Sequence, residues 1–550
     1  MSILHANPSL RDTRNYLASF GPRPQKTSTS PTPSPVVTTQ PAVLPSSDVQ
    51  DQKQNALVKS ILEPVSRHTA LVKVQGPFTQ VQLDSIAKGL VYLEKLGLVS
   101  VLVVENDLVG RGEEGERIAM IEETTRVVSA LEKQGVRARP FLGATVRLGP
   151  KPGEEDTNLF TRPEAHTIPG DLAPIESALR SGEIPVISPF ALDSFCRSVR
   201  IDANDVIGAL ACGMTDHAKM VANDPPGAED VDLTPLRLMI INREGGVPSY
   251  ARYGFPHLLI NLNSEYDYIQ DTFLDAWRES NPTALSNLSL ARTCLSYMPP
   301  TSSAIMVSHR SQSSLIGNLI TNKPAVSSSL PHALLQGNRR LTHHTPTLLR
   351  RGLPIRVVTS LSELDRAKTT ALLEQSFKRK LNEESFYRRL ERSLDFVVVA
   401  GDYDGAAIVT NEPTSDPSCN ISYLDKFAVL PSHQGDGTVD FLWVALHDET
   451  YGLGHPFSVN PNGGKQGQGE GRDLVWRSRA DNPVNKWYYE RSSGHLRLGS
   501  WVLFWCDTEK RLRVEGSQRG RAGLSYVEDW ERGRLSTWAD SVQKIPSSWM

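Results

Sequence analysis

From Thr69 to Asn263 the chain alternates short β-rich runs with amphipathic helical stretches, a pattern that limits its fold more than any other feature. TALVKVQG, LVSVLVVEN, EIPVISPF, LRLMIINREGG and HLLINLN are close to continuously apolar, as strands buried on both faces are. VQLDSIAKGLVYLEKLG, GERIAMIEETTRVVSALEKQG, PIESALRSG and IDANDVIGALACGM lie between them and carry apolar residues at helical spacing. Strand and helix in turn predict a parallel sheet covered by helices, one α/β domain over residues 55–340. Its helical tail is expected to run through ARTCLSYMPPTSSAIMVS.

GNRRLTHHTPTLLRRGLPIRV then reads as a basic, proline-containing connector, and a second α/β domain is predicted over 353–550. LSELDRAKTTALLEQSF and EESFYRRLERSL are helical, DFVVVAGDYDGAAIVTNEP is a hairpin, and SYLDKFAVLP is a strand entering the turn SHQGDG. The helix TVDFLWVALHDETYG and the strands DLVWRSR and SWVLFWC follow. A mixed sheet results, with two helices before its hairpin and one after its central strand. GLGHPFSVNPNGGKQGQGEGR, residues 452–472, is too glycine-rich to pack and reads as a flexible surface insertion.

Charge narrows the function. A formal net charge of −3 gives no field for drawing in nucleic acid or an anionic membrane, and a small-molecule substrate fits better. No apolar run is long enough to span a bilayer. The five cysteines (Cys196, Cys212, Cys294, Cys419, Cys506) are scattered and form no CxxC pair, so neither a disulfide framework nor a metal site is expected. Residues 1–54 divide into a segment with Arg11, Arg14, Arg23 and Lys26 against Asp12 alone, then a Pro/Ser/Thr-rich linker. The first part has the chemistry of a transit peptide or of an unstructured tail.

The sharpest local signal is the strand SYLDKFAVLP running into HQGDGT and then a helix. A turn of this kind leaves backbone N–H groups at the positive end of the helix dipole, where a diphosphate can bind, and Gly435 and Gly437 permit close approach. An ordinary glycine turn is the alternative.

With its flanks the turn resembles the acetyl-CoA loop of the GNAT acyltransferases. The usual Arg or Gln three residues before the first glycine is replaced by Ser432, and Gln434 directly precedes Gly435. YLDKF (423–427) and WRSRADNPVNKWYYERSSG (476–494) make the likeness more specific. Together they resemble the acyltransferase domain of vertebrate and fungal N-acetylglutamate synthases, whose pattern WRxRxxNxxNxWY is kept here at Trp476, Arg477, Arg479, Asn482, Asn485, Trp487 and Tyr488. The resemblance implies acetyl transfer from acetyl-CoA to L-glutamate as a first step of arginine biosynthesis, without metal. It implies acetyl-CoA contacts along Phe427, Ala428, Val429, Gln434, Gly435, Asp436, Gly437 and Thr438, and glutamate contacts from Lys426, Arg477 and Asn482.

Chemistry can be set beside the likeness. Glutamate brings two carboxylates and an amine, so its site calls for at least two cationic or multidonor groups and no buried acid nearby. Lys426 and Arg477 supply the cations, and on a regular strand Lys426 shares a face with Leu424 and Ala428. A ligand carboxylate would hold the lysine there; so would solvent or a protein acid. Arg479 shares the face of Arg477 by period-two spacing, with a surface ion pair as the alternative. Asn482, before Pro483, serves either the substrate or a turn. Tyr488 is the candidate acid for the departing thiolate, with Tyr423 and Tyr489 as competitors, and the base is read as a water relay. Trp487 and Tyr489 read as packing residues. Cys419 and Cys506, with His433 or His447, are set aside as nucleophiles because neither cysteine has an activating environment.

Residues 174–190, 201–211 and 236–246 resemble the amino-acid kinase fold, in particular the acetylglutamate kinases. Such a kinase needs two glycine-rich turns around its phosphates. The first turn here keeps Lys73 and Gly76 without a glycine pair, and the second holds Glu105, Asn106 and Asp107. Acids there repel phosphate. The expectation is a degenerate kinase-like regulatory domain. By resemblance it implies feedback inhibition by L-arginine, a homo-tetramer, association with acetylglutamate kinase and a place in the mitochondrial matrix. A bifunctional synthase-kinase and a non-catalytic partner of the kinase are the competing readings.

Overall fold

The computed structural model describes residues 68–149, 164–221, 232–252, 254–310, 323–324, 327–328, 341–414, 421–434, 436–446, 473–506 and 524–550. The first part runs β1 (His68–Gly76), α1 (Gln80–Lys95), β2 (Leu98–Asn106), α2 (Glu116–Lys133), β3 (Ala138–Phe141), β4 (Val146–Leu148), β5 (Ala165–His166), α3 (Pro169–Arg180), β6 (Ile184–Ile187), β7 (Phe190–Leu192), β8 (Ser198–Arg200) and α4 (Ala203–Val221). It continues with β9 (Pro235–Asn242), β10 (Leu259–Asn261), α5 (Leu262–Thr272), α6 (Asp275–Ser280), α7 (Ala284–Tyr297), β11 (Ser303–Ser308) and β12 (Thr347–Arg350).

Eight strands make one sheet in the order β10-β12-β11-β9-β1-β2-β6-β3. Its pairs are parallel except that β12 runs against β11. Alternate residues serve opposite faces: Leu71, Val101, Val103 and Leu238 pack with α4 and α7, while Val72, Val74, Leu102 and Met239 pack with α1 and α2. Helices on both faces explain why these strands read as continuous apolar runs. β5-β4-β7-β8 form a separate small sheet. The connector reading needs correcting, because Thr347–Arg350 is a strand inserted between β10 and β11, so the first sheet extends past residue 340. Every residue of TLLR is buried there, which a basic, proline-flanked composition did not disclose.

The second part runs β13 (Ile355–Val358), α8 (Arg366–Phe377), α9 (Glu383–Ser393), β14 (Leu394–Ala400), β15 (Gly405–Glu412), β16 (Ile421–Val429), α10 (Thr438–Leu446), β17 (Leu474–Arg479), α11 (Asn485–Arg491), β18 (Gly494–Leu498), β19 (Trp501–Cys506) and α12 (Leu524–Gln543). The mixed sheet has the order β13-β14-β15-β16-β17-β19-β18. Two helices do precede the β14–β15 hairpin, and α10 follows the central strand β16, as expected. Asp365 and Asn382 start α8 and α9 by accepting from Lys368 N and Ser385 N. One face of the sheet packs α10 and α11, and the other packs α8, α9 and α12.

Two irregularities of β16 position the site. β16 and β17 are parallel neighbours but pair only at Ser422–Leu474 and Tyr423–Val475. Beyond those rungs they diverge, and the edge of β16 from Leu424 to Val429 has no strand on that side among the described residues. The second irregularity is a bulge: Val409 pairs with Leu424 and Ile408 with Lys426, so Asp425 is an extra residue. Alternation therefore breaks, and the expectation that Lys426 shares a face with Leu424 is wrong. Leu424 packs on the α10 side, whereas Ala428 packs on the α8/α9 side and Lys426 sits over Phe386 of α9.

Candidate active site

The divergence of β16 from β17 opens a cleft of about 600 Å³ lined by Tyr423–Phe427, Trp476–Arg479, Asn482, Tyr488 and Ile545–Trp549. Lys426, Arg477, Arg479, Asn482 and Tyr488 all reach it. Arg477 follows Val475 by two residues, and Val475 packs with Tyr423, Val542 and Ile545. Lys426 and Arg477 are thus on the same face of the sheet, the one covered by α8, α9 and α12.

Each cation is already held by the protein. Lys426 is buried, and Nζ donates to Asp425 Oδ2 at 2.9 Å and to Ser548 Oγ at 3.2 Å. The ring of Trp549 lies 5.8 Å from the same nitrogen. Arg477 donates from Nη1 to Val542 O at 2.6 Å and from Nη2 to Ile545 O at 2.7 Å, holding the carbonyls at the end of α12. Those bonds use two of its five N–H donors and leave an edge of the guanidinium for a ligand.

The expectation of no buried acid near the site is overturned by Asp425. Its side chain is 3% exposed and also pairs with Arg389 of α9, which binds Glu412 at 2.7 Å. Burial alone would raise its pKa, but Lys426 and Arg389 beside it hold its carboxyl below the usual range. The acid is tolerable there because two cations flank it. Asp425, Arg389 and Ser548 were not foreseen in the sequence, since only the bulge and the fold of the last residues bring them to Lys426.

Asn482 lines the cleft and also makes turn contacts: its Oδ1 accepts from Val484 N at 3.1 Å and its Nδ2 donates to Ser478 Oγ at 2.9 Å. Arg479 is half-exposed and pairs with Asp481 at 3.0 Å through Nη2 and 3.1 Å through Nε. Tyr488 is buried among Trp476, Trp487 and Phe504, and burial pushes its phenol up to about 12. The competitor Tyr423 is buried and shifted further in the same direction by burial and by Asp425. Trp487 stacks on Phe427 with centroids 6.0 Å apart, and Tyr489 is exposed against His495, so both are packing residues.

After β16 a single 3-10 turn, Pro431–His433, leads into α10. Gln434 donates through Nε2 to Val429 O at 3.2 Å. Asp436 caps the helix: Oδ1 accepts from Thr438 N at 3.1 Å and Thr438 Oγ1 at 2.7 Å, while Oδ2 lies 2.9 Å from His433 Nδ1. Thr438, expected to offer its amide to a cofactor, thus gives it to a neighbouring acid. Gly437 has φ +98° and its N–H donates to none of the described residues. Phe427, Ala428 and Val429 pair with β15 and present their other edge to the cleft side. Gly435, Cys419, His447 and the insertion 452–472 lie outside the described residues. Cys506 is buried, with Sγ 3.4 Å from Arg491 O.

In the first part, Lys73 is 2% exposed and donates to Asn287 Oδ1 at 2.8 Å. Asn287 passes the chain to Gln75, and Gln75 to Asp107. Burial lowers the Lys73 amine, outweighing the surrounding acids. Glu105 accepts from Arg200 at 2.8 Å, Asn106 N at 3.0 Å and Ala203 N at 3.2 Å, which caps α4. A larger cavity of about 860 Å³ lies between α4 and α7, lined by Glu164, Asp202, Asp205, Asp216, His166 and His217, with no lysine or arginine among the described residues.

Residues 356–453 and 468–517 match the N-acetyltransferase domain family of N-acetylglutamate synthase, and the unmatched stretch falls within the glycine-rich insertion. The chain is 67% identical to a mitochondrial amino-acid acetyltransferase of Coprinopsis cinerea, covering 100% of this chain and 91% of that one. It is also 67% identical to the protein of the same name in Laccaria bicolor, over 100% and 99% of the two chains. A solved N-acetylglutamate synthase from Neisseria gonorrhoeae, complexed with coenzyme A and N-acetyl-glutamate, overlaps 84% of this chain and 100% of its own with 13% identity and a TM-score of 0.43.

Proposed function

The chain belongs to the family of mitochondrial amino-acid acetyltransferases, and from that premise we propose that it transfers acetyl from acetyl-CoA to the α-amine of L-glutamate in the cleft between β16 and β17. It is a mitochondrial N-acetyltransferase, and acetyl-CoA is its co-substrate. The choice of glutamate rests on one observation: Lys426 and Arg477, from neighbouring strands, face one cleft from the same side of the sheet. Two cations facing one cleft suit an acceptor with two carboxylates. The free edge of Arg477 receives one carboxylate, and Lys426, kept rigid by Asp425 and Ser548, receives or orients the other.

In the reaction a C–N bond forms to the acetyl carbon and the C–S bond breaks. The amine loses one proton and the sulfur gains one. Asp425 is a poor base because Lys426 and Arg389 hold it ionised, which favours water as the acceptor of the amine proton. A phenol near 12 cannot hand its proton outright to a thiolate whose thiol ionises near about 8.5. Tyr488 therefore acts as a buried hydrogen-bond donor that stabilises charge on sulfur as it leaves. Phe427–Val429 offer the open edge of β16 to the acyl and pantetheine amides, and Gly437 N–H is a donor for the diphosphate.

The first part is read as regulatory. Lys73 is engaged by Asn287, and Glu105 and Asp107 stand where glycines would have to surround phosphate. That arrangement favours the regulatory reading over a bifunctional synthase-kinase. Feedback inhibition by L-arginine, a homo-tetramer and association with acetylglutamate kinase belong to the same proposal. The test is acetyl-CoA turnover by the purified chain across all amino acids, with and without arginine. Glutamate is expected to be preferred and arginine to slow it. Coenzyme A binding without turnover on any amino acid favours the non-catalytic reading.

A further inference from the structure

The first sheet reaches directly into the loop before α10. Arg350, the last residue of β12, is 7% exposed, and its Nη1 donates to the carbonyl of Asp436. Its Cδ would lie 3.6 Å from a Cβ placed on Gly437, so the arginine packs along that residue's backbone. A second contact lies one turn further on. Phe441 is buried in the core of the first part, with Leu259, Ile305 and Leu348. A third joins Ser327 to Asp440 at 3.3 Å and to Arg491 at 2.9 Å. The start of α10 is therefore docked on the first sheet.

From this geometry we infer that Arg350 is a positioning residue for acetyl-CoA, supplied to the transferase by the other domain; the inference rests on the reading that this loop holds the diphosphate. The reason lies in the peptide unit. A trans peptide is planar, and its C=O and the following N–H point in opposite directions. A guanidinium fixing the Asp436 carbonyl toward the first sheet turns the Gly437 N–H away from it, and that N–H is the donor with no partner among the described residues. Gly437 is at positive φ, a conformation with little cost for glycine and with no side chain to fix it, so an external hydrogen bond has something to select. Charge adds to the effect. Asp436 places a carboxylate at the helix start, and Arg350 beside it offsets that charge where a dianionic ligand must approach.

The experiment uses the full chain and coenzyme A itself, titrated by calorimetry, beside steady-state kinetics. Arg350→Met is expected to weaken coenzyme A binding and raise the acetyl-CoA KM about tenfold, while kcat at saturation and the glutamate KM stay within twofold. Arg350→Lys should recover part of the loss. An unchanged affinity in a folded Arg350→Met variant overturns the inference, as does an equal fall in kcat and in affinity for both substrates, which marks general distortion. If Arg350→Met does not fold, Arg350→Gln carries the same expectation and the same refutation. Gly437→Val separates the two claims. If Gly437→Val leaves coenzyme A binding intact, the loop is not the diphosphate site; if it abolishes binding and the Arg350 variants do not weaken it, only the role of Arg350 fails.

Discussion

Lys426 and Asp425 are consecutive on β16, and their charged ends meet at 2.9 Å because a bulge turns both toward the same side of the sheet. The pair sits beside Arg389 at the end of the acceptor cleft. Removing the acid leaves two buried cations facing each other, and removing the lysine leaves Asp425 still paired. The two substitutions should therefore differ in kind.

Asp425→Ala is expected to destabilise the fold by roughly 3 kcal/mol, read by urea denaturation, since an uncompensated buried charge is the costly case. The folded carboxyl ionises below its unfolded value near about 3.9, so its contribution is complete above that pH and is lost as pH falls through the lower, folded value. Asp425→Asn should accordingly flatten the acid limb of stability against pH. A limb identical to the native one would show that Asp425 is not the titrating group.

Lys426→Met keeps the stem against Phe386 and Trp549 and removes the charge. The glutamate KM should rise at least about tenfold, the scale of one charge-assisted hydrogen bond, with acetyl-CoA affinity unchanged. Initial rates at varied glutamate measure it directly.

Arg477→Lys is not conservative, because one ammonium cannot span Val542 O and Ile545 O while also offering an edge to substrate. Both the glutamate KM and the melting temperature are expected to move, the latter downward by a few degrees on the scale of about 1 kcal/mol. A variant with native melting and native glutamate use would remove Arg477 from the site.

Tyr488→Phe should lower kcat by about tenfold to a hundredfold with both KM values within twofold. The phenol ionises near 12 in the fold and near about 10 unfolded, so its burial favours the native state below pH 10 and that advantage disappears as pH rises toward 12. Alkaline denaturation of the variant should be shallower by about 2–3 kcal/mol across that interval.

Asp436→Asn keeps an acceptor for Thr438 N but removes a negative charge from the start of α10. The acetyl-CoA KM should fall severalfold at low ionic strength, and the gain should shrink as salt is added. A rise would mean that the carboxylate itself holds the loop in its binding shape.

Most regular features of the fold were legible, but not β12, which reads as connector, nor β11, whose SAIMVS reads as part of a helical tail and is a strand between β12 and β9. The strands β1, β2, β6 and β9 are apolar runs whose composition already requires helices or neighbours on both sides. Period-two reasoning placed Arg477 and Arg479 correctly because β17 is regular against β19. The same reasoning misplaced Lys426 relative to Leu424, because it presumes unbroken pairing and one extra residue reverses every orientation beyond it. Ser548 meets Lys426 across 122 positions, a contact no local pattern carries. Asn482 was ambiguous in the sequence, and it both accepts from Val484 N and lines the cleft.

Glu105 is tied into the fold at two points. Besides standing where a phosphate-binding turn would need glycine, it compensates the buried Arg200 guanidinium and starts α4. Glu105→Gly would strip both supports while adding no donor for a nucleotide, so the single substitution is penalised before any benefit could appear. Phosphate binding at this turn is thus opposed by the scaffold itself, and a designer seeking it would have to rebuild residues 105, 107 and 200 together.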